Sequence, residues 1–450
     1  MKTIFITSFH GLISRNIFQS EAFEVLKNRP DLKLAVFIPD YKFDFFQKNF
    51  GGGNVIFEKI NPGRASKIDF IFKFIFSALL ATNSVKLKRR EKLDADKKYF
   101  SFFVSSLVSS VFGRVGFLKS FFRWIYGFIP SGKFSGYFEK YKPDLVFCSD
   151  IQNENDILML KEAKKRKIKS LGMVRSWDNL TCKEFIKVVP DKMIVNNEIL
   201  KKEAQEHHGI DPEKIFVCGI PHYDAYVRQG RAGREDFCRG LDLDPAKKII
   251  LYAPAGDRYI KNNNVDWQIL DILQKEFLPD AQILARLPPA DTVNLDGFQK
   301  KEGVIFDRPG KIFHEGAFKE FELSRHDEKH LIDSIFQADL IVCGPSTIAI
   351  DAFVFDKPVI FIAFDGREKR EYIRGIGRYY DYEHVLNIIK RKGAVLARNQ
   401  EELVQGAKRY LADPSLDKEN RRKIIEDQCW KLDGRSGKRL AEYILKHIFS

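Results

Sequence analysis

Short, wholly apolar runs of strand length alternate along this chain with longer stretches whose apolar residues fall at helical spacing. Lys2 to Thr7, Leu32 to Ile38, Asp144 to Cys148, Lys169 to Val174, Lys192 to Val195 and Ile215 to Cys218 read as strands. Asn16 to Asn28, Asp156 to Lys165 and Asn197 to His208 read as helices between them. The rhythm restarts at Lys248 to Ala253. It continues through the strands Ala281 to Leu287 and Val304 to Asp307, the helix Asp327 to Gln337, the strand Leu340 to Cys343 and a last short strand, Gly393 to Leu396. Helices over Glu401 to Leu411, Lys418 to Trp430 and Gly437 to Phe449 close the chain. Strands separated by helices imply parallel pairing, because a parallel neighbour is reached only through a crossover. The expectation is an α/β protein with two doubly wound parallel-sheet domains, over residues 1–235 and 245–430, and a closing helix over 431–450. The Gly-, Arg- and Asp-rich segment Arg228 to Pro245 reads as the linker.

Ala338 to Asp365 is the most pointed stretch: a buried strand, the turn Gly344-Pro345-Ser346-Thr347, a helix capped by Ser346, then Lys357-Pro358 and another strand. Unpaired amides at a helix start favour an anion, so a nucleotide diphosphate is the expected guest; an ordinary βαβ connection would look the same on shape alone. Arg258 and Arg286, each at a strand end of the second domain, are candidates to pair with that pyrophosphate or to form ion pairs of their own. Asp351, a turn beyond Thr347, could orient the turn or a ribose.

Doubly wound domains bind ligands at their strand C-termini, and two in tandem can present these ends across a cleft. In the first domain such loops carry Arg175, Trp177, Asp178 and Asn179, and then Pro221, Tyr223 and Asp224, as candidate acceptor contacts. His10 follows the first strand directly, with a reference pKa suited to a general base or to a plain loop histidine. Asp40, Asp150 and Asp178 are rival bases, with Asp150, directly after its strand, the best placed.

Between about Ser66 and Phe134 the text changes. Phenylalanine-rich runs are interleaved with Lys73, Lys86, Lys88, Arg89, Arg90, Arg114, Lys119 and Arg123, and no run has the unbroken length of a membrane span. This insertion is either a set of amphipathic helices for an anionic membrane surface or core helices with solvated lysines. The formal net charge of +14 calls for an anionic partner of some kind. No nucleic-acid module is present, and the aromatics lie in apolar runs rather than on a basic face, so nucleic acid is not the expected partner.

The six cysteines show no metal-like spacing and read as reduced packing residues. His207-His208 has no third ligand at a recognisable spacing and reads as a solvated helix end. The two DxD triplets, Asp94–Asp96 and Asp242–Asp244, have no strand delivering them and read as turn and cap residues. No metal and no cofactor are expected. The opening MKTIFITSFHGLISRN meets polar residues too early for a signal peptide, so a cytoplasmic protein is expected, at most peripheral on the membrane's inner face.

From Leu171 onward the chain resembles the GT-B glycosyltransferases, and more narrowly the cell-surface polysaccharide branch near CDP-glycerol glycerophosphotransferases and UDP-N-acetylglucosamine 2-epimerase-like proteins. The resemblance rests on VRSWDNLTCK at 174–183, on VNNEILKKEAQEHHGIDPEKIFVCGIPHYD ending at Asp224, on the block from Asp339 to Phe364, and on LDGRSGKRLAEYI at 432–444. It implies two Rossmann-like domains facing a cleft, a donor nucleotide site at Gly344, Ser346, Thr347 and Asp351, and a last helix crossing back to the first domain. Pro288-Pro289 stands where many relatives carry His-Pro, so no histidine is carried over there. The implied activity is metal-independent transfer of a sugar from a nucleotide donor to a glycan or lipid-linked acceptor; the alternatives are transfer of a polyol phosphate from a CDP-activated donor and a non-catalytic, membrane-docked scaffold.

Overall fold

The computed structural model describes residues 1–61, 67–113, 115–130, 132–260, 263–289, 291–314 and 320–450. The chain divides into two compact units, Met1–Val227 with Cys429–Ser450, and Arg228–Gln428.

The first unit holds β1 (Lys2–Thr7), β2 (Leu32–Pro39), β3 (Val55–Ile60), β4 (Leu145–Cys148), β5 (Lys169–Met173), β6 (Lys192–Val195) and β7 (Ile215–Val217), all parallel and ordered β3-β2-β1-β4-β5-β6-β7. Every residue of β4 is buried, as a central strand covered on both faces requires. Phe5 on β1 packs edge-on against Phe37 of β2 and Phe138, and Phe37 meets Phe134 in turn, so the two central strands share an aromatic core.

The helix Ser436–Phe449 returns to this unit. Its Ser436 and Gly437 amides donate to the two oxygens of Asp224, at 3.0 and 2.7 Å. Gly437 lies against the start of the helix Glu21–Lys27, where a β-carbon would stand 3.1 Å from the Glu21 and Ala22 nitrogens. Tyr443 stacks on Phe216 at 3.9 Å.

The second unit holds β8 (Lys248–Ala253), β9 (Ala281–Arg286), β10 (Val304–Asp307), β11 (Lys311–His314), β12 (Glu320–Glu322), β13 (Leu340–Cys343), β14 (Val359–Ile362) and β15 (Val395–Ala397). Six of them form a parallel sheet ordered β10-β9-β8-β13-β14-β15, and β11 and β12 pair antiparallel. That hairpin was expected as loop; its short strands carry no apolar run to announce them. The segment expected as a linker belongs to this unit. Helix Arg234–Arg239 buries Phe237 and Cys238, and the Arg234 guanidinium binds the carbonyls of Gln337 and Lys247.

The insertion forms the helices Lys67–Leu79, Asn83–Asp96, Tyr99–Phe112 and Gly116–Phe128; Ser66 and Arg114 lie outside the described residues. Phe76, Leu79, Leu80 and Tyr126 are core. Phe70, Tyr99, Phe100, Phe103, Phe117, Trp124 and Phe128 are each more than 60% exposed. Among the described residues no single helix is long and apolar enough to cross a membrane.

Its basic residues are not all solvated. Arg89 binds the carbonyls of Ser77 and Ala78, Lys88 that of Cys182, Lys119 that of His207, and Arg123 those of Ile186 and His208. Each places a charge-assisted donor on a backbone carbonyl.

Candidate functional site

In the first unit the strand order reverses between β1 and β4, opening the crevice where doubly wound sheets bind ligands. Thr7 at the end of β1 donates from Oγ1 to Asp156 Oδ1 at 2.5 Å and accepts from the Ser149 amide at 2.9 Å, and Ser149 Oγ donates to the Thr7 carbonyl. These bonds stitch the two strand ends into a fixed floor.

His10 and Asp150 stand here. The Asp150 carboxylate accepts from Arg175 Nη1 at 2.8 Å, Asn179 Nδ2 at 3.3 Å and the Gln152 amide at 3.2 Å, with Lys183 Nζ at 3.7 Å. It is 1% exposed. A buried carboxylate so paired anchors Arg175 at the end of β4.

The His10 imidazole is held well below its ordinary pKa, first by burial and then by the charges of Arg175, Lys183 and Lys42, against a smaller opposing pull from Asp178. It is neutral at physiological pH. Among its rivals, Asp40 is exposed at the end of β2, and Asp178 and Trp177 are half-buried in the loop after β5. Asp156, in the floor, is raised to about 8, by burial first and then by the neighbouring Asp150.

The loop from Arg175 to Lys187 is tied down on several sides. Thr82 Oγ1 donates to the Thr181 carbonyl at 2.6 Å, Gln152 Nε2 to the Glu184 carbonyl at 2.6 Å, and the Phe185 amide to the Phe76 carbonyl at 3.1 Å. His208 completes the hold. Its Nδ1 accepts from the Ile186 amide at 3.1 Å, its Nε2 faces the Leu180 carbonyl at 2.8 Å, and its ring stacks on Phe185. The expected solvated helix end is thus a fully buried imidazole, pushed down to about 3 by burial above all.

Pro221, Tyr223 and Asp224 do not line an acceptor loop. All three are buried, and Asp224 caps the last helix as described above. His222, between them, meets Asn16 Oδ1 at 2.6 Å.

In the second unit the corresponding reversal falls between β8 and β13. Gly344, Pro345, Ser346 and Thr347 follow β13, with Ser346 partly exposed, Thr347 exposed and Asp351 buried. The helix Ile348–Val354 has seven residues; Ser346 Oγ accepts the Ile348 amide at 3.4 Å, a weaker cap than expected. A β-carbon on Gly344 would stand 3.0 Å from the Ala255 β-carbon, so this turn passes close against the loop after β8.

That loop is organised by Asp266, which accepts from the Tyr252 hydroxyl, the Ala255 and Gly256 amides and Asn263 Nδ2 at 2.7 to 3.0 Å. Arg258, on the same loop, has its amide on Asp291 Oδ2 and its side chain exposed.

Arg286 is 6% exposed and ion-paired to Asp307, which His330 also contacts at 3.1 Å. Burial would raise the Asp307 carboxyl, but the His330 hydrogen bond and the Arg286 charge outweigh it and leave it below the usual range. Of the two readings left open for Arg286, the structure shows the ion pair. Asp266, His330 and the buried Arg378, whose Nη1 binds the Gly375 carbonyl at 2.6 Å, carried no sequence signal; Lys183 lay within a segment already singled out.

Among the described residues no group of three or more His, Cys, Asp or Glu side chains is arranged to hold a metal ion.

Two parallel-sheet units with crevices at their strand reversals define a GT-B fold. The chain superposes over 99% of its length on all of the UDP-GlcNAc 2-epimerase of Neisseria meningitidis, with a TM-score of 0.57 at 13% identity. It superposes over its whole length on 89% of the wall teichoic acid polymerase TagF, with a TM-score of 0.53 at 14% identity. Residues 161–446 match the CDP-glycerol:poly(glycerophosphate) glycerophosphotransferase family, and the chain belongs to that family. It is 23% identical over 198 residues to the teichoic acid poly(ribitol-phosphate) polymerase of Bacillus spizizenii, an alignment covering 42% of this chain and 28% of that protein. The chain spans less than half the length of the curated relatives it matches.

Proposed function

We propose that this protein transfers a polyol phosphate from a CDP-activated donor to a hydroxyl of a lipid-linked acceptor, in the synthesis of a cell-surface polymer. The family match over residues 161–446 carries this reading, and it moves polyol-phosphate transfer ahead of the sugar transfer expected from the sequence.

The acceptor oxygen attacks the β-phosphorus of the donor, the bond to the bridging oxygen breaks, and CMP leaves. The acceptor's proton passes to His10, whose neutral imidazole can take it. Asp150 holds Arg175 in place through the 2.8 Å ion pair. The donor's phosphates lie at Gly344, Ser346 and Thr347, near Arg258, with Asp351 behind the turn. Arg286, engaged with Asp307, acts there only through its field. The reaction needs no metal and no cofactor. The exposed aromatics of residues 67–128 rest on an anionic membrane surface, where each nearby Lys or Arg contributes about 1 kcal/mol.

The test measures nucleotide release, with EDTA present, from CDP-glycerol, CDP-ribitol and UDP-GlcNAc in the presence of a membrane extract as acceptor. CMP release from a CDP-polyol, lost in His10→Gln and Ser346→Trp, is the expected result. UDP release from the sugar nucleotide alone would replace this reading with sugar transfer, and release from none would leave the scaffold.

A further inference from the structure

Between the helix Lys67–Leu79, the first turn of the helix Glu154–Lys165 and the loop Arg175–Lys187 lies a cavity of about 400 Å³. Five cations line it, Lys73, Lys133, Arg175, Lys183 and Lys187, against three carboxylates, Asp69, Asp150 and Glu154. The pairing leaves positive charge over. Lys73 reaches Glu154 at 3.4 Å, Lys187 reaches Glu184 beside the cavity at 3.0 Å, and Arg175 and Lys183 share the one Asp150. The bonds of Lys133 go to neutral oxygens, the Asn61 carbonyl at 2.9 Å and Asn155 Oδ1 at 2.7 Å. Arg175 Nε is buried with no acceptor.

Desolvation weighs on these cations. Burial lowers the Lys133 and Lys183 ammonium groups below their ordinary range, against the nearby carboxylates Glu154 and Asp150. The amides opening the helix Glu154–Lys165 add the positive end of a twelve-residue helix, and Tyr126, Ile157 and Leu158 supply an apolar wall. A cavity with surplus positive charge and an apolar wall suits a phosphate carrying a short carbon chain.

The cavity's place in the unit decides which phosphate. Arg175 and Lys183 belong both to its wall and to the charges acting on His10, while two of its bordering helices carry the exposed Phe70, Phe74, Trp124 and Phe128. We propose that this cavity is the acceptor's phosphate subsite, binding the phosphate ester next to the attacking hydroxyl. The inference rests on the transferase reading.

Calorimetry on the full chain tests it, with sn-glycerol 3-phosphate, inorganic phosphate and CMP as soluble probes. Phosphatidylcholine vesicles with and without phosphatidylglycerol form the membrane arm. One glycerol phosphate per chain is expected, weakened about tenfold by Lys133→Gln and by Lys183→Gln and restored by Lys133→Arg, with CMP binding unchanged. In turnover the same two variants should raise KM for the acceptor and leave KM for the donor in place. Glycerol phosphate binding that is absent, or indifferent to both substitutions, overturns the subsite even while CMP binding and release keep the transferase reading intact. Substitutions that weaken only binding to phosphatidylglycerol vesicles also overturn it, assigning the cations to membrane lipid. Binding that depends on Lys133 and Lys183 without any CMP release sinks the transferase reading and, with it, the cavity's assignment to an acceptor.

Discussion

Acid should loosen the loop that carries Arg175, Asn179, Lys183 and Lys187, and His208 sets how much. Its neutral ring joins the Ile186 amide to the Leu180 carbonyl, and burial pushes its pKa down to about 3. A histidine whose folded pKa lies below the unfolded value of about 6.5 binds protons preferentially when released, so its contribution is complete above that value and is lost as the pH falls toward about 3. At pH 5 the loss is roughly 1.5 × 1.36, or about 2 kcal/mol, a large share of a typical stability of about 5–15 kcal/mol. Native-state hydrogen exchange over Leu180–Ile186 reads this locally, without requiring the two units to unfold together. After correction for intrinsic exchange, protection should fall about thirtyfold between about pH 8 and about pH 5. His208→Asn places an oxygen near Nδ1 but cannot titrate there. It should start less protected, because it leaves a cavity beside Phe185, and then show little further loss over the same range. His10 and His222 are also depressed, by burial first and then by nearby cations, and both remain in the variant. Parallel slopes in wild type and His208→Asn would therefore refute the assignment to His208.

Asp156 runs the other way: its folded pKa of about 8 lies above the unfolded value, so its contribution is present at low pH and is lost as the pH rises from about 4 through about 8. Asp156→Asn keeps the Oδ1 acceptor for Thr7 and Asp150 and should flatten the decline by up to about 1.4 kcal/mol per pH unit, measured by urea unfolding; equal destabilisation at both ends of the window would show the native carboxyl to be ionised. Asp224→Ala removes both amide bonds at the start of the helix Ser436–Phe449 and should cost about 2–4 kcal/mol, with Asp224→Asn in between; a loss under about 1 kcal/mol in urea unfolding would remove the cap from the account. Replacing Phe100, Phe103 and Phe117 together by Ser should abolish sedimentation with anionic vesicles while leaving the folded circular dichroism spectrum unchanged; undiminished sedimentation would place the membrane contact elsewhere.

The sheets were legible because fully buried parallel strands have to be apolar throughout, as β4 and β13 are. The crevice in the first unit was legible through His10, Asp150 and Arg175 because each directly follows a strand. What each does there was not, since the Arg175–Asp150 pair depends on two strand ends meeting across 25 residues of sequence. The same limit hid the Asp224 cap, which joins residues 212 apart, and the Arg286–Asp307 pair on neighbouring strands. His208 was misread because a doublet of histidines at a helix end looks solvated. Only the packing of the Leu180–Ile186 loop over it makes it core.

The insertion shows why a net charge of +14 says little until the geometry of the cations is known. Lys88, Arg89, Lys119 and Arg123 hold backbone carbonyls; Arg123, lowered to about 10 by burial, lies 4.0 Å over the Phe185 ring. Lys88 and Arg123 fix the loop beside His10, while Arg89 and Lys119 hold carbonyls at the ends of the helices Lys67–Leu79 and Glu198–His208. Lys86, Arg90, Lys92, Lys97 and Lys98 stay exposed in the same stretch, next to aromatics whose exposure has no structural use in water. A membrane surface would cover the second set without disturbing the first. Docking would then leave the loop's geometry unchanged and act on turnover by concentrating a lipid-linked acceptor near the cavity. Detergent-solubilised acceptor should accordingly raise KM and leave kcat in place, whereas a fall in kcat would mean that the helices transmit binding to the loop.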